Sequence, residues 1–229
     1  MIEELPRVVP AAPDKPVRPE AIANQREAQA LAADPSRWSR AAADGVVERY
    51  TRLADEWNGE RGSYRPVPLA DALTRGGPFP AGVCVEIGSG TGLLTARLAE
   101  VWSEIVCLDL TPEMLRRSTA PWRVRADASR LPLPDASAAA VVLGDAPLFA
   151  EEVTRVLRAD GVVVWSNALG VDAPHHVPIT TVRDALNAAA PGWQAVTAEA
   201  GWGLWAVLRR LVPQDTPFKR ENGCHATHR

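Results

Sequence analysis

The chain has 229 residues, of which 46% are apolar and 23% charged, average globular proportions that exclude a disordered chain and favour a single core over two full domains. A formal charge of -3 supplies no general attraction to phosphate backbones or anionic lipid surfaces, so neither nucleic acid nor membrane is an expected partner. Met1-Ile2-Glu3-Glu4-Leu5 lacks the basic and apolar regions of a secretory signal, and Cys84, Cys107 and Cys224 form no CxxC pair. With no window near the roughly 18 continuous apolar residues of a membrane span, the expected location is the reducing cytoplasm.

Residues 1–19 are proline-rich, with Pro10, Pro13, Pro16 and Pro19 at every third position. That is the spacing of a polyproline II segment, read here as an extended or disordered leader. Residues 20–78 are expected to form a helical cap. Its two principal helices are separated at Asp34-Pro35-Ser36, where Asp or Ser can cap and Pro resists helix continuation. In the second, Ala43, Val46, Val47, Tyr50, Leu53, Ala54 and Trp57 follow i, i+3, i+4, i+7 spacing and form one apolar stripe. Residues 60–66 read as a loop, and a short helix over 68–74 stops at Gly76-Gly77-Pro78.

Residues 79–212 then alternate between strands and helices, the pattern of a parallel sheet covered on both faces. Strands are expected at 83–87, 105–108, 122–126, 139–143 and 162–166. The intervening helices fall at 91–101, after Thr111-Pro112-Glu113, and at 151–158. A helix over 179–190 precedes two strands, 194–198 and 204–208, joined by Gly201-Trp202-Gly203 as an antiparallel hairpin. Residues 213–229 form a tail in which Cys224, His225 and His228 are taken as uncoordinated; no metal site is expected.

The first strand-to-helix turn is Gly88-Ser89-Gly90-Thr91-Gly92, at the topological switch point where open α/β sheets bind ligands. Alternate glycines permit positive φ and leave the backbone bare for a ligand. Glu86 precedes the turn, Asp109 ends the second strand where a carboxylate can accept hydrogen bonds from ribose hydroxyls, and Asp127 ends the third. The spacing differs from the dinucleotide pattern G-x-G-x-x-G, with Leu93 at the last glycine position, and the P-loop ending is absent. A phosphate-free nucleoside suits this arrangement better than a dinucleotide.

Together, Glu86-Ile87-Gly88-Ser89-Gly90-Thr91-Gly92, Asp109 through Leu115, Arg125-Ala126-Asp127-Ala128 through Asp135, and Arg155 through Gly161 resemble class I S-adenosylmethionine (SAM)-dependent methyltransferases. The likeness is strongest to the small-molecule branch related to ubiquinone and menaquinone biosynthesis enzymes. The resemblance spans roughly residues 80–168 and implies a Rossmann-like, doubly wound, seven-stranded sheet with a reversed terminal hairpin strand. It implies SAM as cofactor: Gly88, Ser89, Gly90 and Gly92 along the methionine and ribose, Asp109 on both ribose hydroxyls and Leu110 against adenine. By the same likeness Asp127 and Ala128 read the adenine edge, Glu86 orients the loop, and Gly144 joins the cofactor set. The pattern departs from the family at Ala138-Ala139, at Ala159-Asp160-Gly161 and in the short link Gly144 through Ala150.

His175 and His176 follow the fifth strand and are weak candidates, with Asp145, for a general base; for each the favoured reading is an ordinary solvated loop residue. The helices near Tyr50 and Trp57 are expected to form a lid that excludes water from the cofactor cleft. The resulting expectation is an enzyme that methylates an unidentified small-molecule acceptor. A SAM-binding regulator or partner subunit without turnover, and a nicotinamide-dependent oxidoreductase, are the alternatives. Oligomeric state stays open, a homodimer included.

Overall fold

The computed structural model describes residues 1–16, 21–59 and 61–211; the tail with Cys224, His225 and His228 lies outside them. The strands are β1 (Ile2–Glu4), β2 (Val83–Ile87), β3 (Glu104–Asp109), β4 (Trp122–Arg125), β5 (Ala138–Gly144), β6 (Leu157–Asn167), β7 (Trp193–Ala200) and β8 (Gly203–Arg210). They form one sheet in the order β1-β7-β8-β6-β5-β2-β3-β4. Only β8 is reversed, pairing antiparallel with both β6 and β7. The doubly wound mixed α/β architecture with a reversed strand is as expected, with eight strands instead of seven.

The eighth strand comes from the leader. Instead of standing free, Ile2–Glu4 pair in parallel with Ala195–Thr197, and the Leu5 amide donates to the Thr197 carbonyl at 2.8 Å. Farther along, Arg7 ion-pairs with Glu199, Gly201 donates its amide to the Val9 carbonyl at 3.0 Å, and Trp202 donates through Nε1 to the Ala12 carbonyl. An unsatisfied edge strand, β7, supplied backbone partners that a reading of proline spacing could not register.

The helices are α1 (Ala21–Ala33), α2 (Arg40–Leu53), α3 (Arg61–Tyr64), α4 (Pro66–Arg75), α5 (Thr95–Leu98), α6 (Pro112–Arg117), α7 (Ala150–Val156) and α8 (Ile179–Ala189). The helix expected over residues 91–101 shrinks to the single turn α5. Gly90 and Gly92 take positive φ, 56° and 80°, and residues 91–94 continue as turns closed by Gly92 N–H to the Ser89 carbonyl and Thr95 N–H to that of Gly92. The expected loop over 60–66 instead contains α3 and the start of α4. Thr111 precedes α6 without a side-chain cap; the Asp109 carboxylate takes its amide, at 2.7 Å.

Side-chain alternation along the strands builds a core on each face of the sheet. On one, Val85, Ile87, Val141, Leu143, Val163 and Trp165 meet α7 and α8. On the other, Cys84, Cys107, Ala140, Val142, Trp205 and Val207 meet Leu69 and Ala72 of α4 and Leu98 of α5. The second face contains a buried ion pair: Asp71 accepts from Arg75 Nε and Nη2 at 2.9 and 2.6 Å and from Trp205 Nε1 at 2.7 Å. Burial raises the Asp71 carboxyl's pKa, but the Arg75 and Trp205 hydrogen bonds outweigh it and hold the group below its ordinary value.

Asp71→Ala leaves the Trp205 N–H and the Arg75 guanidinium without their shared acceptor, and is expected to cost about 3 to 5 kcal/mol. A urea-unfolding midpoint equal to that of the wild type would show that this anchor between α4 and β8 contributes nothing.

Candidate functional site

At the C-terminal ends of the parallel strands lies a cavity of about 460 Å3, within the usual range of small-molecule sites. Its floor is the sheet's own turns, through Gly88, Gly90, Asp109, Leu110 and Ala128; its roof is α1 and α2, through Leu31, Val46, Arg49 and Tyr50, with Trp38 and Trp57 beside them.

The glycine turn is tied down by its own amides. Gly88 and Ser89 donate to the Leu108 carbonyl at 2.8 and 3.0 Å, and Gly92 donates to the Ser89 carbonyl. Gly90 donates to Asp109 Oδ2 at 2.8 Å. With these four amides spent, the bend is not the nest of free N–H groups that a pyrophosphate requires. It presents bare Cα surface instead. Gly88 has φ +69°, and a Cβ there would come within 2.9 Å of Ala146; a Cβ at Gly90 would meet nothing nearer than 3.7 Å, at Trp57 Nε1, and would project where a ligand can touch the chain.

Asp109 faces the cavity, with Oδ2 on Gly90 N–H and Oδ1 on Thr111 N–H. Burial raises its pKa, opposed by those two backbone donors. Each carboxylate oxygen retains acceptor capacity beyond one hydrogen bond, so ribose-type hydroxyls can still be received.

Of the other residues singled out from the sequence, Leu110, Ala128, Asp145 and His175 also line the cavity, whereas Glu86, Ser89, Gly92, Asp127, Gly144 and His176 do not. Asp127 is engaged from the roof: its Oδ2 accepts from Trp38 Nε1 at 2.8 Å and its Oδ1 from Ser129 N–H at 2.8 Å. Gly92 is needed for close packing, since a Cβ would lie 2.7 Å from Ser118 Oγ. Gly144 similarly leaves room for Leu94. The Ser89 hydroxyl is buried and has no partner among the described residues. His176 is turned into the protein, Nδ1 at 3.1 Å from Asn167 Oδ1.

Asp145 sits in the left-handed region, φ +52°. It ion-pairs with Arg65 at 3.2 Å and accepts from the Asn167 side chain and the Ala168 amide. Arg65 also donates to the Gly144 carbonyl at 3.0 Å and stacks over the Trp57 ring. Reading 60–66 as a loop concealed Arg65; no local signal marked it, because its partners are 79 and 80 residues away. His175 Nε2 is 2.8 Å from the Tyr50 hydroxyl. Burial pushes the imidazole down to about 4, against nearby Asp145, so at neutral pH the ring is uncharged and has one nitrogen able to accept a proton. Burial likewise raises the Tyr50 phenol's pKa.

Glu86 lies beneath the turn. Alternating with Val85 and Ile87, it points to the α5 face, where its Oε2 accepts from Thr95 Oγ1 at 2.6 Å and from Cys107 Sγ at 3.6 Å. Burial lifts its carboxyl to about 7, above the unfolded value, so the native state holds the proton more tightly. Folding is therefore most favourable below the unfolded pKa and weakens as pH rises toward about 7. Glu86→Gln cannot ionise and should gain stability relative to the wild type between pH 5 and 8 by about 1 to 3 kcal/mol. Parallel thermal denaturation curves across that range would contradict it.

Residues 85–165 match the family described as "Methyltransferase domain". An uncharacterized methyltransferase of Mycobacterium tuberculosis is 36% identical over 121 residues, which cover 47% of this chain and 48% of the relative. The chain thus spans about half the length of the curated relatives it matches. Among solved structures, a SAM-dependent methyltransferase of Aquifex aeolicus aligns with a TM-score of 0.56 at 15% identity, over 71% of this chain and 98% of that one. The DhpI–SAH complex aligns with a TM-score of 0.58 at 21% identity, over 76% and 98%. At these identities the likeness is one of fold, and the matched family segment is the one that carries the glycine turn, Asp109 and Asp145.

Proposed function

We propose that the protein is a SAM-dependent methyltransferase acting on a small molecule. The observation that carries the reading is the cavity floor: a bare glycine bend whose glycine amides are already spent beside a buried carboxylate with acceptor capacity left. This favours a nucleoside without phosphates over a nicotinamide dinucleotide, whose pyrophosphate would find the amides of Gly88, Ser89, Gly90 and Gly92 already bonded within the chain. The family match over residues 85–165 and the fold likeness to methyltransferases support it. A cavity roofed by α1 and α2, rather than an open groove, supports a small acceptor.

When bound, SAM would supply a methyl group on a sulfonium centre, and the residues of this chain would bind, align and shield it. Asp109 would accept from the ribose hydroxyls, Leu110 and Ala128 would pack on the adenine, and Gly88 and Gly90 would let the ligand lie on the backbone. Tyr50, Trp57 and Trp38 would keep water out from above. Of the candidate bases, Asp145 is committed to Arg65 and His176 faces Asn167. His175, bonded to Tyr50 and lining the cavity, would be the candidate that faces an acceptor hydroxyl or amine, as a weak base whose imidazole burial holds down to about 4. Methyl transfer can proceed largely on proximity and alignment, so this proton transfer assists and need not dominate.

Calorimetry with SAM and S-adenosylhomocysteine (SAH) on the wild type and on Asp109→Ala tests the assignment. Loss of charge-assisted hydrogen bonds to ribose should cost about 1.5 to 3 kcal/mol. Equal affinities in the two proteins, or wild-type binding of NADH in place of SAM, would sink the reading. SAM binding with no methyl transfer across a broad acceptor panel would assign a regulator instead.

A further inference from the structure

Inside the roof of the cavity is a cation with little to do. Arg49 of α2 lines the cavity and is partly buried, yet its recorded partner is neutral: Nη1 donates to Asn24 Oδ1 at 2.9 Å. Among the described residues it has no ion pair. A guanidinium carries five N–H donors, and leaving most of them unused in a partly desolvated site is costly. The other charged groups of the lining are accounted for. Arg65 is paired with Asp145, Asp109 holds two backbone amides, Arg37 is exposed beside Asp34, and Glu27 is exposed on α1. The positive charge of Arg49 reaches Tyr50 and His175, opposing the burial-driven rise of the phenol's pKa and adding to the burial-driven fall of the imidazole's.

The same cavity has apolar walls as well. Ala28 and Leu31 of α1, Val46 of α2 and Pro147 contribute aliphatic surface. Trp38 and Phe149 meet edge to face with ring centroids 5.4 Å apart. Because the Trp38 N–H is spent on Asp127, its ring offers the cavity only apolar surface.

We infer that the cavity takes a methyl acceptor with an apolar or aromatic body and a carboxylate, the carboxylate being held by Arg49. The inference deepens the methyltransferase reading and rests on it. Arg49 is then the residue that selects the acceptor, since a guanidinium binds a carboxylate through paired hydrogen bonds that a neutral analogue cannot return. SAM and SAH carry a carboxylate of their own, so the same chemistry has two sources, and the experiment must separate them.

The test is calorimetry on SAH-saturated protein, titrated with octanoate, 4-hydroxyphenylacetate and indole-3-acetate, each against its primary amide. At least one carboxylate should bind the wild type at least about tenfold more tightly than its amide. Arg49→Gln should abolish that preference and Arg49→Lys retain part of it, with SAH affinity within about twofold of wild type in both, which also shows that the variants are folded. The inference is overturned if no carboxylate binds, or if acids and amides bind the wild type equally. It is also overturned if Arg49→Gln weakens SAH about tenfold, because Arg49 would then hold the cofactor's carboxylate. Failure of SAH to bind the wild type at all would instead sink the methyltransferase reading beneath it.

Discussion

The carboxylate of Asp109 is the constraint around which the site is organised. One oxygen receives the amide of Gly90, in the turn after β2, and the other receives that of Thr111, at the start of α6. A single side chain at the end of β3 thereby sets the spacing between two adjacent strand-end turns. Its pKa is raised by burial and restrained by those amides, a balance in which a further hydrogen-bonding ligand on the same oxygens would favour the ionised form. Because the amides of Gly88, Ser89 and Gly92 are bonded to the Leu108 and Ser89 carbonyls, the bend is held by the chain's own hydrogen bonds, which lowers the cost of ordering it on binding.

The roof is held differently. Helix α2 buries none of its residues fully, so its apolar stripe lines a cavity instead of completing a core. Side-chain hydrogen bonds hold the roof to the body: Trp38 to Asp127, Tyr50 to His175, Thr51 to Glu113, and Asn58 to Thr91. Arg117 of α6 adds an ion pair to Asp55. Of these, the exposed Thr51–Glu113 and Arg117–Asp55 contacts contribute little each. Helix α1, by contrast, is packed into the core through Ala28 and Ala32, so of the two roof helices it is α2 that can part from the body at the lower cost.

Beneath the turn, Glu86, Thr95 and Cys107 form a compact buried polar set. Glu86, read from the sequence as a residue that orients the loop, lies behind the turn and does not line the cavity. The reason is parity: within a strand, successive side chains alternate faces, and with Ile87 on the α7 and α8 side, Glu86 must point to the α5 side. Asp127, expected at the adenine edge, lies outside the cavity lining and accepts from Trp38, 89 positions away in sequence.

The sequence by itself determined what depends on near neighbours. The glycine spacing, the strand-end acids, the alternation of strands with helices and the closing hairpin are local patterns, and they yielded the doubly wound sheet, its reversed strand and the Gly88, Gly90 and Asp109 floor. Tertiary structure decided whatever depends on partners far along the chain. The leader became a strand because β7 offered an open edge, nearly two hundred residues later. The helix after the turn was cut to one turn by the left-handed glycines and their closing bonds. Arg49, Arg65 and the Tyr50–His175 pair gained their meaning only when α1, α2 and the loops after β5 and β6 were folded over one cavity. Propensity and periodicity record what a residue's neighbours in sequence demand, whereas a buried charge or a hydrogen-bonded pair is set by what the fold brings opposite it.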